Sequence, residues 1–246
     1  MAHPDDESTS VGGTLARYAR SGTRTVVVTC TNGEMGDGPG GIKPGEPGHD
    51  PKQVAATRLA ELTAACRQLG VDHVDLLDYH DSGAATQNWR PDVPVFTAVP
   101  VAAAAARLAD FLLRHRPRIV LTHDPEAGFQ HQDHVRAGVI TTEALRGTGI
   151  PARLYYKAHG TGHWTRLRQS LADMGIQLPA PATEVATALA DVERRITTTV
   201  DVSAVIDHKY AALHAHASQI DSSLAGKLPP ELFRRALGIE EFIHTR

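Results

Sequence analysis

The chain has 246 residues, 41% hydrophobic, 22% charged and 5% aromatic, with a formal net charge of −3. That length suits one large domain, or one domain with a small appended layer, around a sizeable core. A near-neutral charge argues against a nucleic-acid binder, which carries a basic face, and no stretch approaches the roughly 18 consecutive apolar residues of a membrane span. The ordinary apolar fraction excludes global disorder. The two cysteines, Cys30 and Cys66, are too few for a disulfide framework and read as buried packing thiols. No signal-peptide pattern opens the chain, so a reducing cytoplasm is the expected compartment.

The first predicted element is a helix over 7–21, with Val11, Leu15 and Tyr18 on one face and a stop at Gly22. A strand over 25–30 (TVVVTC) follows. Between 32 and 51 come seven glycines and four prolines, so this segment reads as a long irregular loop, either a functional lid or a mobile stretch. It lacks the order of a phosphate-binding P-loop. A helix over 52–69, a strand over 74–78 (VDLLD), an Ala-rich helix over 100–115 and a strand over 118–123 (RIVLTH) come next. A helix over 133–145 and a weaker strand over 153–156 (RLYY) complete an alternating α/β pattern, which predicts a mostly parallel sheet. Beyond 160 the order changes: a short helix at 164–174, a Pro-Ala stretch at 178–182, strand-like segments at 184–189 and 196–202, and a helix over 204–220. The expectation is a core over 1–160 and a smaller α+β layer over 161–246 belonging to the same domain.

Fourteen histidines are the unusual feature of the composition. His3-Pro4-Asp5-Asp6-Glu7 directly precedes a predicted helix, and His131-Gln132-Asp133-His134 opens another after the strand at 118–123. In an open parallel sheet the loops at the carboxyl ends of the strands converge on one crevice, so clusters about 130 residues apart can meet. Two imidazoles and a carboxylate form a common catalytic zinc set that leaves a position for water. His3, Asp6 and His134 can supply it. Asp5 is then a spare carboxylate able to accept a proton from that water. His131 would stabilise the oxyanion or protonate the leaving amine, with Asp133 orienting its ring. Helix capping is the plainer alternative; it explains the carboxylates but not three histidines.

AHPDDE, a following TNGE and the later H-x-D-H resemble the zinc-dependent de-N-acetylases of the PIG-L/LmbE-like family, and within it the mycothiol-type deacetylase and amidase branch. The resemblance runs from Ala2 to about Leu237. It implies a Rossmann-like core with helices on both faces and a bound Zn2+, with another first-row divalent metal as a substitute. It further implies hydrolysis of an acetamide, usually on a glucosamine-type sugar such as an N-acetylglucosaminyl-inositol. Carried over residue by residue, His3, Asp6 and His134 are metal ligands, Asp5 the base, His131 the acid or oxyanion stabiliser, and Asp133 its partner. Arg58 and Asp81 match positions that contact the sugar in mycothiol-type relatives, against plain readings as a solvated helix face and a turn residue. His216 and Gln219 fall in AHASQ, similar to a segment near the family's C-terminus. Trp89 and Trp164 are candidates for a sugar-stacking wall or for packing, and Glu34 for substrate contact or solvation. His49, His115 and His208 carry no argument beyond surface placement.

The chain departs from the family in two places. The family sets a short apolar strand directly before AHPDDE, whereas this sequence opens at Met1-Ala2; the expectation is a start displaced from the natural one, with low stability. Mycothiol-type relatives also carry Tyr where this chain has Phe129, which cannot donate a hydrogen bond. The leading expectation is a hydrolase acting on a small N-acetylated amino sugar, with no nucleic-acid or membrane partner; a homo-oligomer is compatible. Alternatives are an amidase for a larger amide such as a mycothiol S-conjugate, a natural-product tailoring deacetylase, and a non-catalytic ligand- or metal-binding module, in which Asp5 has no evident use.

Overall fold

The computed structural model describes residues 1–84, 93–128 and 130–245; the readings of Trp89 and Phe129 fall outside them. In chain order the elements are α1 (Asp6–Arg20), β1 (Val26–Thr31), α2 (Pro51–Leu69), β2 (His73–Tyr79), α3 (Val101–His115), β3 (Ile119–His123), α4 (Gln132–Thr148), β4 (Arg153–Ala158), α5 (Thr161–Ala172), α6 (Thr183–Arg195), β5 (Thr198–Asp201), α7 (Ile206–Ala215), α8 (Pro230–Leu237) and β6 (Ile239–His244). Local chemistry accounts for the boundaries. Asp50 caps α2 by accepting Lys52 N–H at 3.0 Å, Pro51 fits its first turn, and Gly70 ends it in the left-handed region at φ 72°.

The fold is α/β. β1 and β2 run parallel, with Val27 opposite Val74. A second sheet has the order β3-β4-β6-β5, in which β4 parallels β3 while β6 is antiparallel to both β4 and β5. The C-terminal strands therefore hydrogen-bond into the same sheet as β3 and β4. One core forms among α1, α2, α5, α7 and α8, centred on Leu69, Leu171, Leu213 and Phe233. A second packs α3 and α4 on the strands through Leu77, Phe96, Leu108, Ile140 and Leu154.

Between β1 and β3 lies an apolar channel of about 990 Å3, lined by Val26, Val28, Leu108, Leu112, Ile119 and Leu121 among others. Met1 and Ala2 meet the free edge of β1 at one end of it. The Met1 ammonium donates to Val28 O at 2.7 Å, and Cys30 N and Thr31 N donate to Met1 O and Ala2 O at 2.8 and 2.9 Å.

Three sequence readings are corrected. Residues 184–189 belong to α6, not to a strand: Ala and Leu favour helix, and Glu184 in the first turn with Arg194 and Arg195 in the last complement the helix dipole. The helix predicted over 204–220 stops at Ala215, because His216 leaves helical geometry at φ −82°, ψ 55°. Glu34 is neither solvated nor at a loose tip; it is 4% exposed and accepts Asp81 N–H at 3.0 Å.

The Gly-rich segment is irregular, with one short 3-10 turn at Pro39–Gly41, and it is fastened at several points. Arg58 donates to Gly33 O at 2.6 Å, and Gln219 Oε1 accepts Asp37 N–H at 3.0 Å. Gly33 is required at its position, since φ is +70° and a Cβ would stand 2.5 Å from Arg58 Nη1. Cys30 and Cys66 are free and buried, and burial pushes the Cys30 thiol up to about 11. No helix among the described residues is long and apolar enough to cross a membrane.

Candidate metal and catalytic centre

The His3-to-Glu7 turn leaves the β1 edge and enters α1 at once. Asp5 stands at the N-cap position, with no side-chain capping bond, in an unusual backbone state, φ 119° and ψ −26°, a conformation that costs an L-residue of order 1–3 kcal/mol and persists only when its surroundings enforce it. Here they do. Asp5 N–H donates to Glu7 Oε2 at 3.0 Å, and buried Glu7 is itself held by Ser8 Oγ at 2.6 Å and His216 Nε2 at 2.7 Å. Arg58, 4% exposed, donates to Pro4 O at 2.6 Å and to Asp5 Oδ2 at 2.9 Å.

Asp6 occupies the centre. Its Oδ2 accepts Ala2 N–H at 3.0 Å and His3 N–H at 2.9 Å, which orients the carboxylate. Its Oδ1 lies 3.2 Å from His134 Nε2, and His123 Nε2 approaches Oδ2 at 3.3 Å. Burial opposes ionisation of Asp6, but the imidazoles of His134 and His123 outweigh it and hold the carboxyl well below its usual range. Burial lowers His134 and His123, favouring the neutral imidazoles a metal requires. His3 differs: burial disfavours its charge, yet Asp81, Asp133 and Asp6 overcome that and raise it.

His3 Nε2 stands 3.2 Å from Asp133 Oδ2 and 3.6 Å from Asp81 Oδ1, and its Nδ1 is 3.7 Å from Asp6 Oδ2. Asp133 Oδ2 also accepts Ser82 N–H at 2.9 Å. Its approach to His131 Nδ1 is 3.9 Å, too long for a hydrogen bond, so the ring Asp133 touches is that of His3. His131 Nδ1 instead caps α4 by accepting Asp133 N–H at 3.1 Å. Asp81 starts a tight turn in which its Oδ1 accepts Gly83 N–H at 2.8 Å.

The structure thus brings His3, Asp5, Asp6, Asp81, His131, Asp133 and His134 into one cluster at the carboxyl ends of β1, β2 and β3. Two overlapping donor groups result, His3-Asp6-His134 and His3-Asp81-His131-Asp133, each with ligand atoms within 4.8 Å of one another. Arg58 lies behind Asp5 with its guanidinium engaged by protein oxygens, and Trp164 packs against the larger helical core. His216 and Gln219 border a small pocket beside Asp5. His123 and Glu7 escaped the sequence reading as site residues. His123 had a usable signal, being the final residue of a predicted strand whose carboxyl end faces the crevice.

Three buried carboxylates, Asp6, Asp81 and Asp133, surround His3, and the Asp133 Oδ1 and His123 Nδ1 atoms have no hydrogen-bond partner among the described residues. Such an anionic, partly unsatisfied donor set fits a divalent cation.

A family model described as PIG-L, GlcNAc-PI de-N-acetylase, matches residues 1–145. A relative from Mycobacterium sp. (strain KMS), named 1D-myo-inositol 2-acetamido-2-deoxy-alpha-D-glucopyranoside deacetylase, is 36% identical over 237 residues, spanning 92% of this chain and 74% of its own length. The protein of the same name from Acidothermus cellulolyticus is 35% identical, covering 100% of this chain and 87% of the relative. Among solved structures, N,N'-diacetylchitobiose deacetylase from Pyrococcus horikoshii superposes with a TM-score of 0.64 at 20% identity, over 99% of this chain and 80% of that one. The 4-carboxy-2-hydroxymuconate hydratase GalB from Pseudomonas putida KT2440 gives 0.65 at 21%, over 100% and 94%. At such identities these two structures establish the fold alone, and the presence of a hydratase among them leaves the chemistry to be argued from the site.

Proposed function

The chain belongs to the PIG-L family of GlcNAc-PI de-N-acetylases, and from that premise we propose that it hydrolyses the acetamide of an N-acetylglucosaminyl-inositol-like conjugate to free amine and acetate. The observation that carries the reading is the pairing of a ligand set, His3, Asp6 and His134, with a separate carboxylate, Asp5, that a binding site would not need.

Zinc held by His3, Asp6 and His134 would supply Lewis acidity, lowering the pKa of water toward about 7 and polarising the amide carbonyl. The remaining work falls to this chain's own groups. Asp5 takes the proton of the attacking water and returns it to the departing nitrogen, so amide and water give amine and acetate with no other reactant. Arg58 and the Glu7 brace hold Asp5 in the orientation this requires.

Hydrogen bonding supports one of the two roles open to His131. Its Nδ1 accepts the Asp133 N–H, and burial lowers its pKa, so the ring is neutral with its proton on Nε2. In that form it donates toward a developing oxyanion, which favours the oxyanion role over that of proton donor. Asp133 supports the centre by fixing His3 and tying the Ser82 turn to it.

The test is release of primary amine from N-acetylglucosaminyl-inositol by zinc-loaded protein, with Asp5→Asn as control. Release by the wild type alone supports the reading. Absence of release from this substrate, with turnover of a larger amide, would replace the deacetylase by an amidase on the same centre.

A further inference from the structure

Asp81 follows β2 at its carboxyl end; a different cluster occupies the beginning of the same strand, about 20 Å away at ~3.3 Å per residue. His73 and Asp75 are two apart on β2 and therefore project to the same face. His115, the last residue of α3, meets them there. His73 Nε2 lies 3.1 Å from Asp75 Oδ1 and His115 Nε2 lies 2.6 Å from Asp75 Oδ2, so one carboxylate holds a different imidazole on each oxygen. The two rings are 5.3 Å apart and inclined by 52°. One ligand atom from each residue falls within 4.8 Å of the others.

We propose that His73, Asp75 and His115 form a second divalent transition-metal site, separate from the catalytic centre and independent of the reaction assigned to it. Two imidazoles and a carboxylate suit zinc, cobalt or nickel rather than calcium or magnesium. The Asp75 and His115 side chains are 11% and 8% exposed while that of His73 is 48% exposed, so the site has a fixed floor, one adjustable ligand and an open side for water. A tetrahedral ion at about 2.1 Å from each donor sets its ligand atoms roughly 3.4 Å apart; rotation of the exposed His73 ring adjusts its own 3.1 Å contact, and the 2.6 Å His115–Asp75 contact, a hydrogen bond without the ion, opens when the ion takes the proton's place. Occupancy joins the end of α3 to the start of β2, so it is a structural staple.

Two cations face the cluster. Arg114 Nη1 is 3.8 Å from Asp75 Oδ1, and Arg24 Nη2 is 3.0 Å from His115 Nδ1. Arg24 can only donate, so His115 accepts at Nδ1 and carries its proton at Nε2, pointing at Asp75. An ion at Nε2 displaces that proton, places N–H at Nδ1 and expels Arg24. Arg24 is therefore a competitor of the metal. If the cluster is only an ion-pair network, removing Arg24 creates no metal affinity.

The experiment is equilibrium dialysis of the full chain against buffered Zn2+, with zinc per chain and Tm as readouts. Wild type is expected to hold one ion more than His73→Ala, and the corresponding zinc-dependent rise in Tm is expected to be absent from that variant. Deacetylation should be unchanged, because His73 lies at the other end of the strand. Arg24→Ala should bind the additional ion roughly two- to fivefold more tightly, the removal of a screened like charge. Equal zinc content in wild type and His73→Ala overturns the proposal, as does weaker binding by Arg24→Ala. The readout is a difference of one ion, so it stands whether or not the catalytic centre is loaded.

Discussion

Arg58 Nη2 donates to Asp5 Oδ2 at 2.9 Å, joining the middle of α2 to the residue that precedes α1 in a left-handed conformation. The contact serves both the geometry and the electrostatics of the proposed base. Burial pushes the Asp5 carboxyl up to about 6, and the Arg58 guanidinium is the main opposing influence.

Removing that guanidinium should therefore move the base upward. In Arg58→Ala the acidic limb of the kcat/KM profile is expected about one pH unit above that of wild type, because Asp5 remains protonated, and inactive, to higher pH. Arg58→Lys should restore part of the shift. A limb that stays in place while KM rises would instead assign Arg58 to direct contact with substrate.

Asp5→Asn keeps the ligand set and removes the proton acceptor. It should retain wild-type zinc content while losing about 100- to 10,000-fold in kcat, the usual worth of a positioned general base. His134→Ala should lose both zinc and turnover. Metal analysis beside amine release separates the two variants, and normal turnover by Asp5→Asn would remove Asp5 from the mechanism.

The His216–Glu7 pair makes stability depend on pH with a defined sign. Burial disfavours the His216 imidazolium, but the hydrogen bond to Glu7 outweighs this and raises its pKa above 6.5. The group's folded pKa thus exceeds its unfolded value. Its stabilisation is complete below about pH 6.5 and is lost as pH rises through the raised folded value. Wild-type Tm should fall over that window relative to His216→Gln; parallel Tm curves would mean that the pair carries no proton linkage.

The channel between β1 and β3 yields a prediction about chain extension. An apolar, β-branched segment of about five residues, appended before Met1, can continue along β1 from the Met1–Val28 contact. A buried Val or Ile side chain contributes about 1.5–3 kcal/mol, and each net kcal/mol should raise Tm by about 2–4 °C for a domain of this size. Differential scanning calorimetry of the extended and given chains tests this, with an unchanged Tm as the contrary result.

Much of this protein was legible in the sequence because the signals were local. Glycine stops such as Gly22, helical spacing of apolar residues and runs such as TVVVTC and RIVLTH are properties of neighbouring residues, and they located most helices and strands of the α/β core. AHPDDE and H-x-D-H likewise offered candidate metal donors through residue type and spacing. At 184–189 the reading failed: the segment was expected to be strand-like, whereas alanines and favourably placed end charges made a helix.

The tertiary structure decided what depends on distance across the fold. Chain order cannot reveal that Asp133 faces His3 instead of His131, that Arg58 grips Asp5, or that His123 lies against Asp6. Nor does it join His115 to Asp75 across 40 positions. These relationships arise where strands and helices from separate parts of the chain end beside one another, in surroundings dry enough for each charge to require a partner. The sequence by itself determined which donors were available; packing decided which of them meet, and in which protonation state.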